Sequence, residues 1–337
     1  MLRKSAVLVA VLALLAAAAG YWARQELRRG ADNTAAVVVK IPAGAGLRAA
    51  LSAVSAAGAL RQPRLLEWYA RWQRSGTTPK AGRYLIEAHA TPLQLLQQLQ
   101  EGRVILEQLT VVEGWTFAQM RQALAADPNV THEWAGLDDR ALMANLGQAG
   151  ASAEGQFFPD TYRFAAGTPD REIYRMAFER MQRELAAAWQ GRDHDVPFRS
   201  ARELLIFASI VERETGRADE RAKVAAVFAN RLRKGMRLQS DPTVIYGLGS
   251  RYDGDIRTRD LRTDSPYNTY TRAGLTPTPI ALPGAASLAA AAHPAPIRAL
   301  YFVAAANGDG THVFSETLAE HNAAVKRLVA RTRRKAS

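Results

Sequence analysis

The 337 residues contain no cysteine, which excludes disulfides and thiolate chemistry and says little about compartment, because many exported domains also do without them. Histidine is scarce too: six residues lie scattered along the chain, and no His-Glu-x-x-His pair occurs among them. There is no Walker loop and no Gly-rich dinucleotide turn. Metal, nucleotide and Ser-His-Asp mechanisms therefore lack their parts. Acidic residues are outnumbered, 32 Asp and Glu against 44 Lys and Arg. The resulting net charge of +12 implies attraction to a polyanion: nucleic acid, anionic lipid headgroups or an acidic wall polymer. If the protein is exported, nucleic acid drops out of that set. A hydrophobic content of 48% argues against disorder, and the length is enough for two domains with a sizeable core.

Charge is also missing from Ser5 to Ala23, directly after Arg3 and Lys4. This run of Leu, Val and Ala is long enough to span a bilayer as a helix, and Tyr21 and Trp22 fall where an interfacial aromatic belt is expected. The small residues from Ala16 to Gly20 also resemble a signal-peptidase site. We read residues 1–23 as an uncleaved transmembrane anchor with a short tail inside and the bulk exported. Positive charge does not set the orientation, since Arg24, Arg28 and Arg29 follow the span. Residues 24–36 read as a polar tether.

Beyond it, Val37–Pro42 and Gly82–Ile86 read as strands. Helices are expected from Leu47 to Ala59, from Pro63 to Trp72, and from Thr91-Pro92 to a stop at Gly102. The stripe Trp68, Tyr69 and Trp72 is read as core. Together these form a small α+β module over 37–103, ahead of a larger mixed α+β domain over 104–330. In the latter, Val104–Val112 is a strand leading into Glu113-Gly114-Trp115-Thr116, where Thr116 caps a helix from Phe117 to Ala126. Glu154–Tyr162 is a polar-aromatic turn bracketed by Gly and Pro, either a packed loop or a cleft wall. A long helix follows from Thr168 to Trp189, and another begins at Asp219 and stops at Gly235. Thr276–Gly284 and Ala289–Pro296 are Pro-punctuated and read as wrapping segments. Leu300–Ala304 and His312–Phe314 form a hairpin about Gly308-Asp309-Gly310. A helix from Thr317 to Val329 and a basic tail over 331–337 close the chain, and the tail is assigned no ligand.

The centre of the larger domain is Leu204-Leu205-Ile206-Phe207-Ala208-Ser209-Ile210-Val211-Glu212-Arg213-Glu214-Thr215. Ser200 and Glu203 form a capping box before it, and Leu204–Phe207 cover every side of one turn, so the helix lies inside the domain. Glu212 stacks above Leu205 and Ala208, beside Ser209, while Glu214 points nearly the opposite way. The two cannot share a proton. Small and apolar neighbours leave a hollow beside Glu212 and disfavour its charged form, which suits a general acid. The bland alternative pairs Glu212 with Arg213, Arg217 or Arg231 and leaves it only ending the helix. Downstream, Leu238–Gly247 and Ser265–Tyr270 are dense in amides, hydroxyls and Tyr. Flat aromatic surfaces suit a sugar ring face, and the polar groups suit its hydroxyls.

With those residues in view, the sequence resembles the endolytic murein transglycosylases, the membrane-anchored family also called YceG-like. The resemblance rests on Glu113-Gly114-Trp115-Thr116, the Glu154–Tyr162 run, Ala208–Thr215, Asn230-Arg231-Leu232, Gly235–Gly247, Tyr267–Tyr270, Ala292-His293-Pro294 and Tyr301-Phe302-Val303, in order over nearly the whole chain. Arg213 stands where Lys is commoner and Ser240 where Thr is usual. The resemblance implies a LysM-like module at 37–103. It also implies an enzyme anchored in the bacterial inner membrane, facing the periplasm, that cuts nascent peptidoglycan internally between MurNAc and GlcNAc. The cut leaves a 1,6-anhydro-MurNAc end, and the family's catalytic Glu matches Glu212. Peptidoglycan strands and the membrane are then partners, with peptidoglycan synthases (penicillin-binding proteins) beside them and no nucleic acid. No cofactor or metal is expected. A single carboxyl serves this reaction, because the substrate's C6 hydroxyl is the nucleophile. Gln239, Asp241, Tyr246, Tyr267, Asn268 and Tyr270 are the expected cleft lining. The alternatives are a non-catalytic, tethered peptidoglycan-binding scaffold and a two-carboxyl hydrolase.

Overall fold

In a computed structural model of the protein, the described residues are 2–74, 76, 78–307 and 309–336. The chain runs α1 (Leu2–Arg28), β1 (Val37–Ile41), α2 (Leu47–Ala56), α3 (Pro63–Trp72), β2 (Gly82–Ile86), α4 (Pro92–Glu101), β3 (Leu106–Thr110), α5 (Phe117–Ala126), β4 (Val130–Thr131), α6 (Asp139–Asn145), β5 (Thr161–Ala165) and β6 (Thr168–Pro169). It continues through α7 (Asp170–Gly191), α8 (Ala201–Glu214), α9 (Arg221–Arg233), α10 (Asp241–Leu248), a 3₁₀ turn at Gly249–Arg251, α11 (Thr258–Arg262), α12 (Ala285–Ala292), β7 (Tyr301–Ala304), β8 (His312–Ser315) and α13 (Leu318–Ala336). The class is α+β: the strands pair only in twos, β1 with β2, β3 with β5, β4 with β6 and β7 with β8. Two compact units result. One comprises Met1–Gln108, Pro128–Thr131 and Arg163–Thr168, and the other Leu109–Asp127, His132–Tyr162 and Pro169–Ser337.

In the first unit β1 and β2 are antiparallel, with Val39 opposite Tyr84. Val39, Ile41, Tyr84 and Ile86 turn to a core shared with Leu51, Val54, Leu66 and Leu95. Thr91 and Gln94 close a capping box on α4, which ends at Gly102 in the left-handed conformation that a residue without Cβ adopts at least cost. Among the described residues α1 is the one helix long and apolar enough to cross a membrane. Where the sequence suggests a tether at 24–36, this helix continues through Arg28, and Leu27 and Ala31 are buried. The aromatic stripe of α3 divides: Tyr69 packs against the core, whereas Trp68 is 75% exposed and Trp72 79%. The helix instead buries Leu66, Glu67 and Ala70. Glu67 is tolerated inside because Arg48 Nε and Arg71 Nη2 donate to its Oε1 at 3.0 and 2.7 Å, which offsets the loss of its hydration.

In the second unit α8 packs against α7, α9, α10 and α12. Leu204 through Val211 are all buried, each large side chain contributing about 1.5–3 kcal/mol. Ser200 caps α8 by accepting from the Glu203 amide. The reciprocal half of the box differs, since the Glu203 carboxylate accepts from Arg199 N at 2.7 Å, one residue earlier than the box requires. The expected wrap near residue 289 is partly helical: α12 buries Ser287, Leu288 and Ala290–Ala292, small enough to pack closely on α8. The terminal hairpin pairs Tyr301 with Ser315 and Ala304 with His312. Its expected Gly308 lies outside the described residues, as do the side chains of most of the basic tail, through which α13 extends.

Candidate active site

Glu212 is set by the last turn of α8 and is half-buried. Its Oε2 accepts from the Gly284 amide at 2.9 Å. None of Arg213, Arg217 and Arg231 pairs with it. Arg213 Nη1 donates to the Gly114 carbonyl at 3.0 Å, Arg217 to Asp219 at 2.7 Å, and Arg231 to the carbonyls of Leu300 and Leu238 at 2.6 and 2.7 Å. Among the described residues Glu212 has no ion-pair partner, and the Gly284 amide is the hydrogen-bond donor found on its carboxylate.

The Glu113–Thr116 turn folds over this carboxyl. Gly114 donates to the Leu282 carbonyl at 2.9 Å, and Leu282 donates back to Trp115 O at 2.7 Å. Gly114 has φ +78°, and a Cβ built there would lie 3.9 Å from Glu212 Cγ. On Gly284 itself, the space a Cβ would take is filled by the Glu113 carboxyl. Gly284 therefore carries one carboxyl on its amide and a second against its Cα. Glu214 faces elsewhere: Ser240 Oγ donates to it at 2.7 Å, and burial holds its carboxyl above the usual range.

A cleft of about 760 Å³ reaches this corner through Thr116 and Arg213, without Glu212 in its lining, and is bounded further by Phe117, Asp139, Glu154, Tyr246, Tyr267 and Ile280. Of the expected sugar-contacting residues it gathers Tyr246 and Tyr267, with ring centroids 5.0 Å apart. The others assemble at the start of α10. Asp241 accepts from the Tyr270 hydroxyl at 2.6 Å, and Gln239, in the left-handed conformation, donates its amide to Thr269 O at 3.2 Å. Asn268 is buried. Its amide donates to the carbonyls of Asp260, Leu261 and Thr263 at 3.2, 3.1 and 2.7 Å, while its oxygen accepts from Tyr270 N at 2.8 Å. That pattern staples a loop and leaves no donor for a ligand.

Glu154 is the cleft residue that sequence reasoning left unassigned. It is 7% exposed; its Oε1 accepts from Phe117 N at 3.0 Å and its Oε2 from the Tyr246 hydroxyl at 3.2 Å. Burial pushes its carboxyl up to about 7, with both donors pulling it part of the way back. The available signal was its place at the head of the Glu154–Tyr162 turn. The rest of that turn does pack, with Phe157 and Phe158 buried, so the segment is core on one side and cleft wall on the other.

The sequence profile of the YceG-like family matches residues 39–327. The chain belongs to the YceG-like family. A Bacillus subtilis relative named endolytic murein transglycosylase is 31% identical over 315 residues, covering 88% of this chain and 86% of its own length. A Streptococcus pneumoniae protein of the same name is 27% identical over 331 residues, 87% of this chain and 59% of that longer protein. A crystal structure of a YceG-like protein from Listeria monocytogenes superposes with a TM-score of 0.56 at 29% identity, covering 86% of this chain and 99% of that one. The α+β architecture is thus that of a YceG-like protein.

Proposed function

We propose that this YceG-like protein is an endolytic murein transglycosylase anchored by α1, acting on nascent peptidoglycan outside the cytoplasm to leave 1,6-anhydro-MurNAc ends. The observation that carries the reading is Glu212: a half-buried carboxyl with no cationic partner among the described residues, held by the Gly284 amide beside a cleft with two aromatic rings. Its relatives' name supports the same reaction class. In the reaction, protonated Glu212 gives its proton to the glycosidic oxygen as the bond to MurNAc C1 breaks. The resulting carboxylate takes the proton of the C6 hydroxyl, and O6 closes on C1. The net change moves one proton from O6 to the departing GlcNAc O4, so neither water nor a metal is consumed. Tyr246 and Tyr267 supply ring faces for the flanking sugars. Of the expected lining residues, Gln239, Asp241, Asn268 and Tyr270 shape the loops around α10. The boundaries proposed for the parts are the anchor, a LysM-like module over 37–103 and a catalytic domain over 104–330, with peptidoglycan synthases as neighbours.

Glu113 brings in one second reading, a two-carboxyl hydrolase, because it supplies another carboxyl against Gly284, the residue whose amide holds Glu212. Products separate the two. Digestion of purified sacculi by the full chain is expected to give anhydro ends, and reducing ends would move the assignment to hydrolysis. Glu212→Gln is expected to lower product formation by about 10²–10⁴-fold with folding and glycan binding intact. Undiminished turnover in that variant would remove Glu212 from the chemistry.

A further inference from the structure

Once Glu212 carries both proton transfers, Glu154 remains as a buried carboxyl in the cleft wall without a role. Its placement is built from several directions. Gly155 has φ +80°, and a Cβ there would overlap the Pro279 ring, so this turn lies directly on the Thr278–Ile280 segment. Ile280 N donates at 3.0 Å to Ser209 Oγ, one turn before Glu212 on α8. On the other side Tyr246 donates to Glu154 at 3.2 Å, and its neighbour Tyr267 shares a hydrogen bond of 2.9 Å with Thr278 Oγ1. A chain of contacts thus runs from Glu154 by hydrogen bond to Tyr246, by ring packing to Tyr267 and by hydrogen bond to Thr278, and the adjoining Ile280 ties it to the helix that carries the candidate acid.

We propose that Glu154 is a positioning residue of the cleft: its carboxylate form accepts the Tyr246 hydroxyl and so sets the aromatic wall against which a sugar ring lies. The inference deepens the transglycosylase reading, and rests on it for the activity readout alone. An ionised carboxyl can accept from Phe117 N–H and Tyr246 O–H together. A protonated one turns one oxygen into a donor, and the Tyr246 hydroxyl must then find another acceptor or turn. The charged and titratable groups facing Glu154 are Asp139 on α6, Arg213 on α8, and the two phenols. Asp139 opposes ionisation, as does burial, and the two hydrogen bonds favour it, leaving the carboxyl near 7.

Glu154 works ionised, so its titration weakens the enzyme as pH falls, and at one unit below its midpoint about a tenth of the wall is correctly set. The test uses the full chain on sacculi with KM and kcat measured from pH 5.5 to 8.5. In the wild type KM is expected to climb roughly tenfold by pH 6 and about thirtyfold by pH 5.5, with a midpoint near 7 and a smaller change in kcat. Glu154→Gln should flatten that limb. Tyr246→Phe removes the hydroxyl through which Glu154 acts, so the KM limb should flatten there too, while the Glu154 carboxyl, having lost a donor that favours its ionised form, titrates at higher pH, a pairing that a merely structural role would not produce. Carboxyl ¹³C titration of Glu212→Gln protein, with the Glu154 signal identified by its loss in Glu154→Gln, reads the same proton without turnover. Persistence of the limb in Glu154→Gln, or a Glu154 signal titrating near 4.5, would overturn the proposal. If the wild type releases no anhydro product, the transglycosylase reading fails by itself. The ¹³C midpoint and glycan binding at pH 6 and 8 then still decide the role of Glu154.

Discussion

The Glu154 carboxyl also has a stability signature. Its ordinary value of 4.5 is raised in the fold to about 7 by burial. Between those values the native protein holds a proton that the unfolded chain has released, so stability falls as pH rises through that window and is fully present below 4.5. Well above 7 the cost approaches about 3 kcal/mol, from 2.5 units at 1.36 kcal/mol each. At pH 5 less than about 1 kcal/mol has been lost, and at pH 8 nearly all of it, a difference of about 2.5 kcal/mol. Glu154→Gln removes this dependence. Urea denaturation of wild type and variant at pH 5 and 8 should show the variant gaining about 2.5 kcal/mol relative to wild type at the higher pH, whatever the amide costs at both. Equal offsets within about 0.5 kcal/mol at the two pH values would refute the burial argument. On this reasoning the form that holds Tyr246 is the form the fold least favours, a common arrangement where function asks for charge inside.

Two other substitutions probe the frame. Gly155→Ala places a Cβ on the Pro279 ring at φ +80°, combining strain with overlap, and is expected to cost roughly 3 kcal/mol in chemical denaturation. Arg231→Met leaves the carbonyls of Leu300 and Leu238 without a donor, with a loss of about 3 kcal/mol. Arg231→Lys should recover only part of it, because an ammonium lacks the fork that spans both oxygens.

How much of this was legible differs by element. The helix that carries Glu212 announces itself through its Ser200 cap and unbroken apolar turn, and the structure buries it as expected. Tyr246 and Tyr267 were legible as candidates because aromatic rings among amides and hydroxyls suit a sugar face, and both line the cleft, Tyr246 from α10 rather than from a loop. Asn268 was not, since composition cannot tell an amide that contacts a ligand from one spent on three carbonyls. Trp68 and Trp72 misled for a related reason: periodicity marks an apolar stripe, yet the inward stripe of α3 contains Glu67, made acceptable by Arg48, which lies on another helix. Glu154 was hidden because its burial depends on Pro279 and Tyr246, residues remote in sequence that close over it only in the fold.

Because Leu27 is buried in the core of the first unit on the same unbroken helix as the apolar span, that unit has no swivel between itself and the bilayer that α1 is proposed to cross. Its heading is geared to the helix: adding one alanine between the apolar half and Leu27 would turn the unit by about 100° and raise it about 1.5 Å. Four would bring it round to nearly its first heading, one turn higher, so tolerance of such insertions should rise and fall with the helical repeat.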